Sequence, residues 1–407
     1  MTEQRPGILT GLRVIEVSAF VAAPLGGATL AGMGADVIRV DPIGGGIDAG
    51  RWPLHNGRSL YWAGLNQGKR SVTLDLRSER GRELLTALVT NHNGAAEDGI
   101  LLTNLGVPPW LGYDRLVERR PDLIMLVITG NPDGSTAVDY TVNAATGFPF
   151  VTGPESWRGP VNHVLPAWDA LTGYLAATAI LAAERHRRLT GQGQLIELSL
   201  MDVALAVTGH LGLLAEAQLE QEPRARYGNE LFGSLSRDFR TRDGRSVIVI
   251  ALTARQWSSL CQATGLGEAF QALEQKLGLD FRRDGDRFSA RRQICALIEP
   301  WVAARDHDEV RLAFASAGVL WGPYQTFQEL VASDPRCSMA NPLFDEVEHP
   351  GIGTYRTAGS PVRFGAVPPA APSASPSLGR HTDEVLQELA GVSREQLAAL
   401  RAEHVIP

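Results

Sequence analysis

One aspartate, Asp169, follows the tripeptide PAW at 166–168 and opens a long run of alanine, leucine and isoleucine that ends in the basic turn ERHRR. Such a residue can do two things. Its carboxylate can cap the helix that the run predicts, accepting backbone N–H groups that a first turn leaves unpaired. It can also attack an activated carbonyl, because a carboxylate with an ordinary pKa of about 3.9 is ionised at neutral pH and needs no base. Local sequence alone favours the cap. Other sources of chemistry are sparse. There is no HExxH, no GxSxG, no phosphate loop and no cysteine–histidine spacing for a metal, and the nine histidines are scattered. The glycine run 44–46 follows a strand-like segment and reads more simply as a turn. No metal is expected.

The elements that would position Asp169 alternate short β-branched runs with helical stretches, the pattern of a parallel α/β sheet. Strand-like runs fall at 12–17, 36–40, 71–76, 99–103, 123–129 and 194–198. Helical spacing falls at 24–33, 79–89, 169–186 and 201–219. A charged, proline-containing stretch at 220–228 suits a crossing between lobes. It is followed by a strand-turn-strand with Asp243 and Gly244 at the turn, then a mainly helical region to about residue 315. The segment 361–376 reads as an extended proline/alanine/serine linker. Helices are expected to start at Thr382 and at Ser393, where Gln396 completes a capping box.

Bulk properties narrow the function classes. At 407 residues, two domains are expected. A net charge of −7 argues against nucleic acid or an anionic membrane as the main partner. Three cysteines, Cys261, Cys295 and Cys337, are far apart and odd in number, which suits a reducing cytoplasm better than a disulfide framework. The uncharged stretch 17–35 holds four glycines and a proline, so it reads as strand end, loop and packed helix, not as a membrane span. A soluble, cytoplasmic protein is expected.

Five segments together resemble the family III CoA transferases: GLRVIEVSAFVAAPLGGATLAGMGADVIRVDP near the start, NQGKRSVTLDL (66–76), DALTG (169–173), LAAERHRRLTGQGQLIELSLMD (181–202) and LGRHTDEVLQELAGVS (378–393). They occur in the family's order and spacing over nearly the whole chain. The resemblance implies a Rossmann-like large domain (1–220) with an inserted smaller α+β domain (225–330), a C-terminal return (331–407), and an interlocked homodimer. It implies an acyl-CoA substrate, with coenzyme A as part of that substrate and no permanently bound cofactor. It makes Asp169 the nucleophile, and Lys69, Arg70, Arg39, Asp41, Asn104 and Arg51 the candidates for holding CoA. The segments RWPLHNGRSLYWAGLNQGKRS, NHVLPAWD and NPLFDEVEHPGIGTYRTAGSP point further, to a branch that moves CoA between the two carboxyl groups of one branched four-carbon dicarboxylate.

That chemistry accounts for the missing motifs. As the resemblance implies, the aspartate expels CoA thiolate from the thioester, forming a mixed anhydride, and the thiolate then attacks the aspartyl carbonyl. Thiolate leaves without protonation, so no general acid is needed. Each tetrahedral oxyanion needs hydrogen-bond donors, worth about 3–4 kcal/mol apiece, and water must be excluded. Relatives use a glycine-rich loop as a shield. The nearest segment here, 227–233, has only two glycines. Arg51, His55 and His163 are candidates to meet the free carboxylate of the diacid. The family's racemase branch carries a histidine where this chain has Val138, so racemisation is not expected. An intermolecular CoA transferase is the alternative enzyme, and a catalytically inactive acyl-CoA-binding subunit the alternative of another class.

Overall fold

The computed structural model describes residues 7–92, 98–368 and 370–407. Six of its strands form one parallel sheet: β1 (Arg13–Val17), β2 (Asp36–Asp41), β3 (Arg70–Thr73), β4 (Ile100–Thr103), β5 (Ile124–Thr129) and β6 (Gln194–Ser199). Their spatial order is β3-β2-β1-β4-β5-β6, every neighbouring pair parallel. This is the doubly wound dinucleotide-fold order. The strand order reverses between β1 and β4, where a crevice opens at the carboxyl ends.

Alternation along the strands sends residues to two cores. Ile15, Val17, Ile38, Val40 and Leu101 face a core closed by the helices Glu79–Thr90 and Thr382–Ala390. Val14, Val37, Ile100 and Leu102 face the other, closed by α1 (Ala22–Gly32) and the long α3 (Ala167–Thr190). Gly173 lets these two helices meet. A Cβ there would lie 2.7 Å from the Ala22 carbonyl oxygen and 3.0 Å from Leu25 Cβ.

The chain forms two compact units. One comprises 1–146, 163–218 and 338–407, and the other 147–162 and 219–337. The second holds a three-stranded antiparallel sheet, β7 (Leu235–Arg240), β8 (Ser246–Ala251) and β9 (Leu320–Pro323), around its own core of Phe239, Trp257, Phe270, Phe281 and Phe314.

Three expectations change. The helix expected over 201–219 breaks at Leu211 and Gly212 into Leu200–His210 and Leu213–Leu219, bent by 66°. Among the described residues no single helix is long and apolar enough to cross a membrane, though this bent pair reaches that length and apolarity together. The end of the linker expected over 361–376 is packed: Ser375 is buried, and its backbone N–H lies 3.3 Å from His349 Nδ1, while residue 369 lies outside the described residues. The strands β10 (Phe344–His349) and β11 (Gly353–Ala358) form an antiparallel pair that sequence patterning did not predict.

Candidate active site

Asp169 is the third residue of α3, not its cap. The residue before the helix is Pro166, which offers no side-chain acceptor. The first-turn amides are served instead by Asp139, which starts α2 (Asp139–Ala145) thirty positions earlier in the chain. Asp139 Oδ2 accepts from Trp168 N at 2.7 Å and from Asp169 N at 3.1 Å. Trp168 Nε1 donates to Asn143 Oδ1, one turn along α2, at 3.2 Å. Borrowing a cap leaves the Asp169 carboxylate unspent on its own helix, which is what a nucleophile requires.

The electrostatics of that carboxyl are unusual. Burial, reinforced by the nearby negative charge of Asp139, pushes its pKa up from 3.8 to about 7, and the Arg51 guanidinium opposes the rise. Arg51 is exposed, and its guanidinium lies over two rings, 5.1 Å from Tyr61 and 5.5 Å from Phe20. Burial pushes the Tyr61 hydroxyl up to about 12, Arg51 lowers it, and Asp169 raises it further. Tyr61, Arg51 and Asp169 therefore share one neighbourhood. A cation between two aromatic faces is held in place without being neutralised, so it can still meet an anion.

The loop 18–21, between β1 and α1, lines the crevice. Phe20 holds a left-handed φ of +62°, a conformation that side chains seldom adopt without outside support. The support comes from two sides. Phe20 N donates to Asp48 Oδ2 at 3.1 Å, and Asn104, just past β4, accepts from Ala19 N at 2.9 Å and donates to Ala19 O at 2.7 Å.

Beneath the loop lies a buried ionic network that sequence reasoning did not assemble. Lys69 Nζ donates to Glu16 at 2.9 Å, to the Pro24 carbonyl at 2.8 Å and to Asn66 Oδ1 at 3.0 Å, which occupies all three of its N–H bonds. Arg39 pairs bidentately with Asp41 at 2.9 Å and reaches Asp48 and the Ser18 carbonyl at 3.1 Å. Gly27 makes room for it, since a Cβ there would fall 1.7 Å from Glu16 Oε2. Burial depresses Lys69 to about 8 against the pull of Glu16. The expected CoA contacts thus separate. Lys69, Arg39 and Asp41 are fully buried and mutually satisfied, and Asn104 clamps the loop. Arg70 points to the opposite face of the sheet, where it binds Asp36 at 2.6 Å and Glu388 at 2.6 Å and ties down the helix Thr382–Ala390. Of these six candidates Arg51 alone is exposed, its guanidinium lying over Phe20 of the loop 18–21.

Of the histidines expected near the substrate, His55 is exposed in a pair of two-residue strands, Leu54–His55 and Arg58–Ser59. The Nε2 atom of His163 is turned inward, 3.4 Å from Asp139 Oδ1. The segment 227–233 belongs to the second compact unit, where the Tyr227, Phe232 and Phe288 rings cluster with centroids 5.4–5.6 Å apart.

The sequence profile of CoA-transferase family III matches residues 9–382. The chain belongs to this family. Among the relatives of this family III chain is a 2-methylfumaryl-CoA isomerase of Chloroflexus aurantiacus, 53% identical over 98% of both chains. A succinyl-CoA:mesaconate CoA-transferase of Haloarcula hispanica is 30% identical over 95% of this chain and 97% of its own. A crystal structure of a CaiB/BaiF family protein from Brucella suis superposes with a TM-score of 0.77 at 27% identity, covering 95% of this chain and all of that one.

Proposed function

We propose that this family III chain is a 2-methylfumaryl-CoA (mesaconyl-CoA) isomerase, an intramolecular CoA transferase that yields 3-methylfumaryl-CoA. The observation that carries the reading is 53% identity over 98% of both chains to a 2-methylfumaryl-CoA isomerase. The site supports it. A carboxylate freed from capping sits in the first turn of α3, half-buried and beside an uncommitted arginine.

In the proposed cycle an Asp169 carboxylate oxygen attacks the thioester carbon, and the carbon–sulfur bond breaks to release CoA thiolate. The thiolate attacks the Asp169 carbonyl of the resulting anhydride and expels the diacid as its dicarboxylate, leaving an aspartyl-CoA thioester. The other carboxylate of the same diacid attacks that thioester and releases thiolate again. Thiolate then attacks the substrate carbonyl of the second anhydride, forming the regioisomeric thioester and restoring the Asp169 carboxylate. No proton is gained or lost over the cycle. The opening attack needs Asp169 ionised, and in the later steps the same side chain is carried as anhydride or thioester until the last step restores its carboxylate.

Arg51 is the proposed contact for an anionic group of the substrate. Asn104 and the network of Glu16, Arg39, Asp41, Asp48 and Lys69 hold the loop over which CoA would lie, at the switch point where such sheets bind their ligands. Arg70 is assigned to the C-terminal helix and not to CoA. The proposed assembly is the interlocked homodimer expected from the family, and the apolar side chains Leu171, Tyr174 and Leu175, more than 40% exposed along α3, support burial by a second copy.

The test is incubation of the protein with mesaconyl-CoA alone, followed by chromatography that resolves the two thioester regioisomers. Conversion without added acid supports the isomerase. Conversion only with an added free acid, with isotope-labelled acid appearing in the thioester, would instead establish an intermolecular transferase.

A further inference from the structure

His163 was expected to meet the substrate, but its geometry assigns it another partner. Its Nε2 and Asp139 Oδ1 are both buried, both lack a conventional hydrogen bond, and face each other at 3.4 Å. The other oxygen of Asp139 is already engaged by the amides of Trp168 and Asp169. The imidazole is held where it is from α2 and α3 together. The Tyr140 ring meets it edge-on with centroids 6.4 Å apart, the Trp168 indole lies at 6.4 Å, and the Tyr140 hydroxyl donates to the Val164 carbonyl at 3.1 Å. Two buried polar atoms without other partners, 3.4 Å apart and braced by rings, call for an account beyond packing.

We propose that His163 is a positioning residue for Asp169, acting through Asp139: its Nε2–H donates to Asp139 Oδ1 and fixes the carboxylate that holds the backbone of the nucleophile. The proposal rests on the reading of Asp169 as nucleophile. The reasoning is electrostatic as well as geometric. Asp139 is the negative group that, after burial, does most to disfavour a second charge on Asp169. A donor on its far oxygen draws that charge away from the nucleophile and fixes the plane of the carboxylate. Asp169 is faced by Asp139 from α2, Arg51 from the loop after β2 and Tyr61 from the helix Leu60–Leu65. His163 is faced by Asp139 and Tyr140 from α2 and by Trp168 from α3.

The experiment compares the intact protein with His163→Ala and His163→Gln, the glutamine restoring an N–H donor. In free protein carrying 13Cγ-labelled aspartate, the Asp169 signal is assigned by its disappearance in Asp169→Asn, and its titration midpoint is read. In His163→Ala two amides still donate to Asp139 Oδ2, while the donor on its far oxygen is lost. The midpoint is expected about 0.5 pH higher than in the parent and restored in His163→Gln. With mesaconyl-CoA, His163→Ala is expected to lose about tenfold or more in kcat at neutral pH with KM nearly unchanged, again recovered by glutamine. A midpoint that is unmoved or lowered in His163→Ala overturns the proposal, as does a glutamine variant that behaves like alanine. A raised KM with unchanged kcat also overturns it, since that would make His163 a substrate contact. His163→Phe keeps the ring between Tyr140 and Trp168 without nitrogens, and replaces the alanine variant if that one melts early. A parent protein inert toward mesaconyl-CoA would defeat the functional reading and leave the midpoint comparison intact.

Discussion

Replacing Asp169, the proposed nucleophile, should make the protein more stable, and by an amount that depends on pH in a definite way. Asp169 is held at about 7 against an ordinary 3.8, so the folded chain binds its proton more tightly than the unfolded chain does. The sign is therefore that of a raised carboxylate. The ionised group destabilises the fold fully above about pH 7, and the destabilisation fades as pH falls from there to about 4. The gap between the two values corresponds to about 4 kcal/mol. Asp169→Asn keeps the shape and removes the charge, so it should recover most of this at pH 8, about 1.5 kcal/mol at pH 5, and almost nothing at pH 3.5. Urea denaturation of parent and variant at equal protein concentration, at pH 8 and pH 5, measures the difference. The variant should unfold at higher urea at both values, by a wider margin at pH 8. Equal margins at the two values, or a less stable variant at pH 8, would refute the account of Asp169 as a charge held under desolvation. Activity should vanish in the same variant, so that stability and turnover move in opposite directions.

Turnover of mesaconyl-CoA by the parent should fall as pH drops below about 7, tenfold per pH unit well below it, because the protonated Asp169 cannot attack; a rate that is flat down to pH 5 would contradict this. Lys69→Met should strand the buried Glu16 carboxylate and lower stability by about 3–5 kcal/mol, read as a lower urea midpoint, whereas Arg77→Ala, on an exposed pair, should leave that midpoint where it is. Gly173→Val should push α3 off α1, because even a Cβ would sit 2.7 Å from the Ala22 carbonyl oxygen, lowering the melting temperature and kcat together; a variant with normal kcat would show that α1 does not set the position of Asp169.

Much of this fold could be read from the chain, and the reasons for the rest are specific. The strands of the parallel sheet announce themselves because segments buried on both faces must be continuous β-branched runs, as in DVIRV and LIMLVIT. Their spatial order does not, since strand periodicity carries no information about neighbours. The same holds within the site. Asp169 could be singled out, but not distinguished from a cap by local sequence, because the residue that caps in its place, Asp139, is remote in sequence and only folding brings it near. A signal for the ionic network was present and unused. In DVIRVD the residues Arg39 and Asp41 stand two apart on a strand, hence on one face, and Glu16 falls in register with Arg39 on β1. Read together, those three positions predict an internal ion pair before they predict a phosphate site. Alternation likewise separates Lys69 from Arg70, which adjacency in the sequence had grouped as one basic patch.

The cluster formed by Glu16, Arg39, Asp41, Asp48 and Lys69 sets three acids against two bases in a space closed to water. Its members cannot be exchanged one at a time, since any single change leaves a partner stranded, while a joint replacement by apolar residues of matching volume can be nearly neutral. Relatives should therefore inherit these positions as a block, and chimaeras that join β1 of one to β2 of another should fail even where each parent is robust. The crevice above is free to diversify toward new acids because the floor below it is locked.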